Sequence, residues 1–183
     1  MNINERNKLL PSLARLSPAI SIIIFLIYII YDRYNIVYLT IVLGIISLSN
    51  QVIKEYISRP LYNIIPKLNK FIQGSRPVNA VSCGLFLDGK KGSRTFGMPS
   101  GHSQIIWSIT IYILLKLWNK EKKNKLLLWF ISIVLILYAL YVSYSRVYID
   151  GCHTLPQVII GSLIGILLSS LIYYLEVNIF YKN

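Results

Sequence analysis

Leu126–Tyr144 reads LLLWFISIVLILYALYVSY, a run without one charged side chain. A helix needs about 20 such residues to cross the hydrocarbon core of a bilayer, where it must satisfy its own backbone hydrogen bonds. The run is apolar on every face, so a helix made from it cannot lie on a soluble core with its outer side in water. The same texture recurs on either side of it. Leu155–Leu175 follows after a short polar break. Pro99–Trp118 precedes it, and Leu16–Tyr31 and Ile36–Ile53 lie nearer the N-terminus. These five runs predict an all-α fold, a multi-pass transmembrane helical bundle of about five spans. Tyr and Trp at many span ends fit anchoring at the membrane interface.

The first span is the shortest and carries Pro18; Asp32-Arg33-Tyr34-Asn35 turns it into the second. Arg6, Lys8 and Arg15 precede it as they would precede a signal peptide, but no small-residue cleavage site follows, so an uncleaved span is expected. The whole of 1–183 reads as one membrane domain, with 1–53 a transmembrane hairpin, 54–175 the core and 73–98 an extramembrane loop. Ile53 to Ile72 mixes apolar residues with Lys54, Glu55, Arg59, Lys67 and Lys70 and is punctuated by Pro60 and Pro66, which predicts short amphipathic helices at the interface.

The formal charge of +12 would point to nucleic acid in a soluble protein. Here no zinc-ligand spacing, helix-turn-helix pattern or aromatic-basic platform accompanies it. Lys116, Lys120, Lys122, Lys123 and Lys125 instead cluster in one loop between spans, as the positive-inside rule asks of a cytoplasmic loop. Nucleic acid is therefore not an expected partner; the bilayer and a membrane lipid are. Two cysteines, Cys83 and Cys152, make neither a disulfide scaffold nor a zinc site, but both fall on the side opposite the lysine loop and could pair in an oxidising lumen.

The chemistry lies at the span edges. The chain has two histidines. His102 closes Gly97-Met98-Pro99-Ser100-Gly101-His102, and His153 follows Ser145-Arg146 and opens His153-Thr154-Leu155-Pro156-Gln157. A third basic stretch runs from Lys70 to Arg76-Pro77. With the spans as read, all three lie on one membrane face. Arg76 and Arg146 are forked, permanent cations suited to phosphate oxygens, Lys70 adds a point charge, and Ser100 and Gly101 offer backbone N–H groups at a helix start. Histidine can act as nucleophile, base or acid near neutral pH. Taken singly, an arginine beside a span snorkels and Pro-Ser-Gly starts a helix; their convergence on one face favours phosphate chemistry. Thr154 and Gln157 also fit a capping box. Gly161 and Gly165 predict close helix packing. Gly84 to Lys91 nearly matches a phosphate-binding loop but lacks its final hydroxyl residue, and no arginine follows Cys152 as a cysteine phosphatase would require.

In that order these motifs resemble the type 2 phosphatidic acid phosphatase superfamily of membrane lipid phosphatases, over roughly Ile53 to Leu175. Gly97 to Gln104 with Arg146-Val147-Tyr148, His153-Thr154 and Gln157-Val158 is most similar to its dolichyl diphosphate phosphatase branch. The resemblance implies a metal-independent hydrolase without cofactor, turning dolichyl diphosphate into dolichyl phosphate on the lumenal face of the endoplasmic reticulum. It implies His153 as the nucleophile that becomes a phosphohistidine, His102 as the acid, Gln157 as the orienter of His153, and Lys70, Arg76, Ser100, Gly101 and Arg146 as phosphate binders. A broad lipid phosphate phosphatase acting on phosphatidic acid, and a non-catalytic lipid-binding protein, are the alternatives.

Three departures stand out. Asn69 occupies the place of the family's lysine, with Lys70 one residue closer to Arg76. Six residues separate Arg146 from His153 where the family has five, so a residue near Asp150-Gly151 must bulge out. Gln157 replaces an aspartate, with Asp150 as a substitute orienter; Gln157→Asp is then expected to preserve or raise activity.

Overall fold

The computed structural model describes residues 9–17, 19, 20, 23, 36–67, 72–78, 80, 96–120 and 124–180. Among them the regular secondary structure is all helical, without a strand. Helix α1 is Leu9–Arg15 and α2 is Ile36–Val52. A π-helical turn, Ile53–Ser58, continues directly into α3, Arg59–Ile64. Helix α4 is Gly101–Lys120 and α5 is Lys125–Tyr144. A second π-helical turn, Ser145–Ile149, prolongs α5, and α6 is Leu155–Phe180. Most of the expected first span, its turn at 32–35, Lys70 and Cys83 lie outside the described residues.

Two helical stretches, Lys125–Ile149 and Leu155–Asn178, are long and apolar enough to cross a membrane, and only 28 % of each apolar window is buried. Their outward faces carry Trp129, Phe130, Ile133 and Leu137 on α5, and Ile159, Leu163, Leu167 and Leu171 on α6. Side chains of this kind need an apolar solvent, and a bilayer supplies it.

Helix α4 occupies the middle. It packs most extensively on α6, then on α5 and α2. Its shielding explains its polarity: Ser103, Gln104, Ser108 and Thr110 are all buried. The Gln104 amide accepts from Asn50 Nδ2 at 2.8 Å and donates to Ser49 Oγ at 2.9 Å. The glycine pair of α6 lies against α4 so closely that a Cβ on Gly161 would stand 2.5 Å from the Ser100 carbonyl oxygen, and one on Gly165 2.4 Å from that of Gln104. At the far end of α4, Tyr112 Oη donates to the wholly buried Glu176 at 2.7 Å, and Lys116 pairs with the same carboxylate.

One boundary differs from the sequence reading. No break occurs at Ile53; the second span runs helically through to Ile64. Proline lacks an N–H and crowds the preceding turn. Pro60 is accommodated because it falls in the first turn of α3, after a π-turn closed by Arg59 N–H donating to the Lys54 carbonyl. The chain leaves the helix only at Ile65, whose extended φ of −121° is what the residue before Pro66 requires.

Candidate active site

The extra residue between Arg146 and His153 is absorbed in two steps. Asp150 N–H reaches back to the Ser145 carbonyl at 2.8 Å, a π-type bond that takes in one more residue than an α-turn. Gly151 then adopts φ +63°, open to glycine without strain. The reversal lets the N–H groups of both Cys152 and His153 donate to the Arg146 carbonyl, at 3.0 and 3.1 Å. Arg146 and His153 are thereby clamped together, both buried. Cys152 is disulfide-bonded and wholly buried; Cys83, the other cysteine of the sequence, lies outside the described residues.

Gln157, in the first turn of α6, organises the histidine. Its Oε1 accepts the Thr154 N–H at 3.3 Å and lies 3.0 Å from His153 Nδ1. Its Nε2 donates to the carbonyls of Gln73 and Ser75 at 2.6 and 2.7 Å. With two carbonyls on one side and an N–H on the other, the amide orientation is fixed, so His153 Nδ1 must carry the proton and Nε2 its lone pair. That lone pair faces Arg76 Nη1 at 3.1 Å, and the same nitrogen donates to the Cys152 carbonyl at 3.1 Å. The Thr154–Gln157 bond is half of the expected capping box; the Thr154 hydroxyl makes no hydrogen bond to a described residue.

The three motifs come together through these bonds. Gln73 to Arg76 is tied to Gln157 and, through the Gly74 carbonyl, to the N–H groups of Gly97 and Met98. Ser100 N–H donates to the Gln157 carbonyl at 3.0 Å. This corrects one expectation: the Ser100 N–H is committed inside the protein, and its hydroxyl accepts from Ser103 Oγ at 3.1 Å. Gly101 opens α4 beside it with the Asn50 amide against its Cα. His102 Nε2 lies 3.1 Å from the Arg15 carbonyl, which can only accept, so a proton sits on Nε2.

Asp150 is also corrected. Its carboxylate takes Arg146 Nη1 at 2.9 Å and faces Arg15 Nε at 3.9 Å. It balances two buried guanidinium groups and does not orient His153.

Burial, then Arg76 and Arg146, hold His153 well below the usual histidine range, against a small upward pull from the Gln157 hydrogen bond. The imidazole is neutral at neutral pH. Burial and then the Arg146 charge push Arg76 down to about 10, still a cation.

Two contributors escaped the sequence reading. Arg15 looked like a charge flanking a span, and nothing in its surroundings marks it as a partner of Asp150. Lys54 reads in the sequence as one of the charges of an amphipathic interfacial helix. It is half-buried. Had the helix been extended through Pro60, Lys54 would have fallen one turn beyond Asn50.

Dolichyldiphosphatase 1 of Rhinolophus ferrumequinum is 38 % identical over 81 residues, covering 40 % of this chain and 34 % of that protein. Dolichyldiphosphatase 1 of Homo sapiens is 39 % identical over 77 residues, 38 % of this chain and 32 % of that protein. The similarity thus spans about a third of the length of these curated relatives. No solved structure matches. The family model of the PAP2 superfamily covers residues 34–181, from the start of α2 through the end of α6, and the chain belongs to that superfamily.

Proposed function

We propose that this protein is an integral-membrane phosphatase that removes the terminal phosphate of a lipid diphosphate, dolichyl diphosphate before others, through a phosphohistidine on His153. The observation that carries the reading is the tautomer of His153. A neutral imidazole with its lone pair on Nε2, beside a guanidinium that would hold a phosphoryl oxygen, is a prepared nucleophile.

In the first step Nε2 attacks phosphorus, the bond from phosphorus to the bridging oxygen breaks, and His102 gives that oxygen a proton. The Arg15 carbonyl keeps the Nε2 proton of His102 in place, so Nδ1 delivers the one taken up with the anionic substrate. Arg76 and Arg146 take the charge that develops on the phosphoryl oxygens, helped by the Ser100 hydroxyl and the start of α4 at Gly101. Water then attacks phosphorus, His102 accepts its proton, and the nitrogen–phosphorus bond breaks to release phosphate.

A lipid tail has somewhere to go. A cavity of about 350 Å³ opens between α4, α5 and α6, lined by Trp107, Leu140, Val147, Tyr148, Leu155 and Val158 among others. Val147 adjoins Arg146 and Leu155 lies two residues after His153, so a headgroup at the histidine leads its tail onto an apolar wall. The site stands at the start of α4, and Lys116 and Lys120 lie toward its other end, about 22 and 28 Å along the axis by helix rise. With the lysine end cytoplasmic, the site faces an extracytoplasmic space. The disulfide at Cys152 suits an oxidising lumen, and we propose the endoplasmic reticulum.

The test is phosphate release by the purified chain in detergent with EDTA, comparing dolichyl diphosphate with phosphatidic acid. Faster release from the diphosphate is expected. Equal release would make it a broad lipid phosphatase, and release from neither would remove the catalytic reading. The pH profile gives a second check. His153 must be neutral to attack, and it titrates well below 6.5. Once the substrate's own titration, followed by phosphorus NMR, is allowed for, kcat/KM should rise as pH falls, because His102 takes up its proton with the substrate, and should turn down only below pH 6.5, where His153 becomes protonated. An acid limb at or above that pH would count against a neutral, buried nucleophile.

A further inference from the structure

Among the described residues, Lys54 is a cation near the site to which neither the sequence motifs nor the mechanism above gives work. It lies one helical turn after Asn50, and Asn50 rests on the start of α4: its Nδ2 is 3.5 Å from the Pro99 carbonyl, and its Oδ1 would be 3.1 Å from a Cβ on Gly101. Residues four apart share a helix face, so the Lys54 stem starts from the face that packs on the beginning of α4. The charge at its end acts on both His102 and His153 and on Arg76. Lys54 is half-buried where Arg146 is wholly buried. It therefore lies nearer the surface than Arg146. Among the described residues its ammonium makes no hydrogen bond or ion pair, and the neighbouring Glu55 is bound to Arg59 at 2.6 Å. Asp150 lies between Arg146 and Arg15.

Resting on the reading of this pocket as a phosphate site, we propose that Lys54 holds the outer phosphate of a diphosphate, the one that stays with the lipid when the terminal phosphoryl group passes to His153. Arg76, beside His153 Nε2, holds the group transferred; Lys54 then distinguishes a diphosphate from a monophosphate. An ammonium on a flexible stem suits an outer phosphate whose place varies with the tail.

The test uses the full chain in detergent and inorganic probes, so it does not depend on turnover. Binding of inorganic diphosphate and of orthophosphate is measured by calorimetry for the parent, Lys54→Gln, Lys54→Arg and, as a control for charge alone, Lys67→Gln at an exposed position. The parent should prefer diphosphate. Lys54→Gln should weaken diphosphate binding about tenfold, on the scale of one charge-assisted hydrogen bond, with orthophosphate nearly unchanged. Lys54→Arg and Lys67→Gln should keep the preference. Equal losses for both anions, or no loss for either, would overturn the assignment. If the parent binds neither anion, the phosphate site and the assignment fall together. If diphosphate binding depends on Lys54 but no lipid is hydrolysed, the assignment stands and the catalytic reading fails.

Discussion

Replacing His153 with alanine should reduce phosphate release from a lipid diphosphate by about a thousandfold or more, the scale expected when a group that forms the covalent intermediate is removed. The fold should survive. His153 makes two side-chain contacts, with Gln157 and Arg76, and both partners keep others: Gln157 Oε1 still accepts from Thr154, and Arg76 still donates to the Cys152 carbonyl. Thermal melting and diphosphate binding should therefore stay near the parent's while turnover disappears. A folded His153→Ala protein with turnover near the parent rate would take His153 out of the chemistry. His153 in the parent should also trap phosphate as an acid-labile adduct when the reaction is quenched in base, and the variant should not.

The second large effect is expected at Gln157, and it reverses the reading from sequence. On the motif alone, aspartate there restores the charged orienter and preserves activity. In the structure the Gln157 amide has two duties. Its oxygen orients His153, but its nitrogen donates to the carbonyls of Gln73 and Ser75, which lead into Arg76. Aspartate is one methylene shorter and has no N–H. Gln157→Asp would leave two carbonyl oxygens without their donor and set a negative charge near them, at about 1–3 kcal/mol for each lost partner. We expect a lower Tm and a loss of one to two orders of magnitude in kcat/KM, the scale of an ångström's misplacement of a catalytic group. Kinetics and melting of Gln157→Asp beside Gln157→Asn, which keeps the amide on a shorter arm, decide it. If Gln157→Asp is as active as the parent, the link to Gln73 and Ser75 contributes nothing to catalysis.

Much of this was legible in the sequence because it rests on periodicity and short-range pattern. The uniformly apolar run at 126–144 can only be a helix in an apolar solvent, and Gly161 with Gly165 states how near α4 must come. His102, Arg146 and His153 are visible as types at span edges. What was not legible depends on long-range geometry. Nothing around Asp150 says that its carboxylate will meet Arg15, more than a hundred residues away, instead of His153 three residues on. Lys54 was hidden by Pro60, which reads as a breaker until a π-turn is known to precede it. The Ser100 N–H could be assigned to an anion only while the carbonyl of Gln157 was out of sight.

The π-turn at Ser145–Ile149 has a wider meaning. It works as a length adjuster: it takes up one residue of chain and hands the same pair of side chains on to the next helix. A pattern search that fixes the interval between arginine and histidine would score this chain as broken and discard it, although the hydrogen bonds from Cys152 and His153 to the Arg146 carbonyl bring the two together. In chains of this kind, motif intervals are better written as elastic wherever a helix end lies between the two residues, and a one-residue surplus there marks a local change of helical winding more readily than a lost activity.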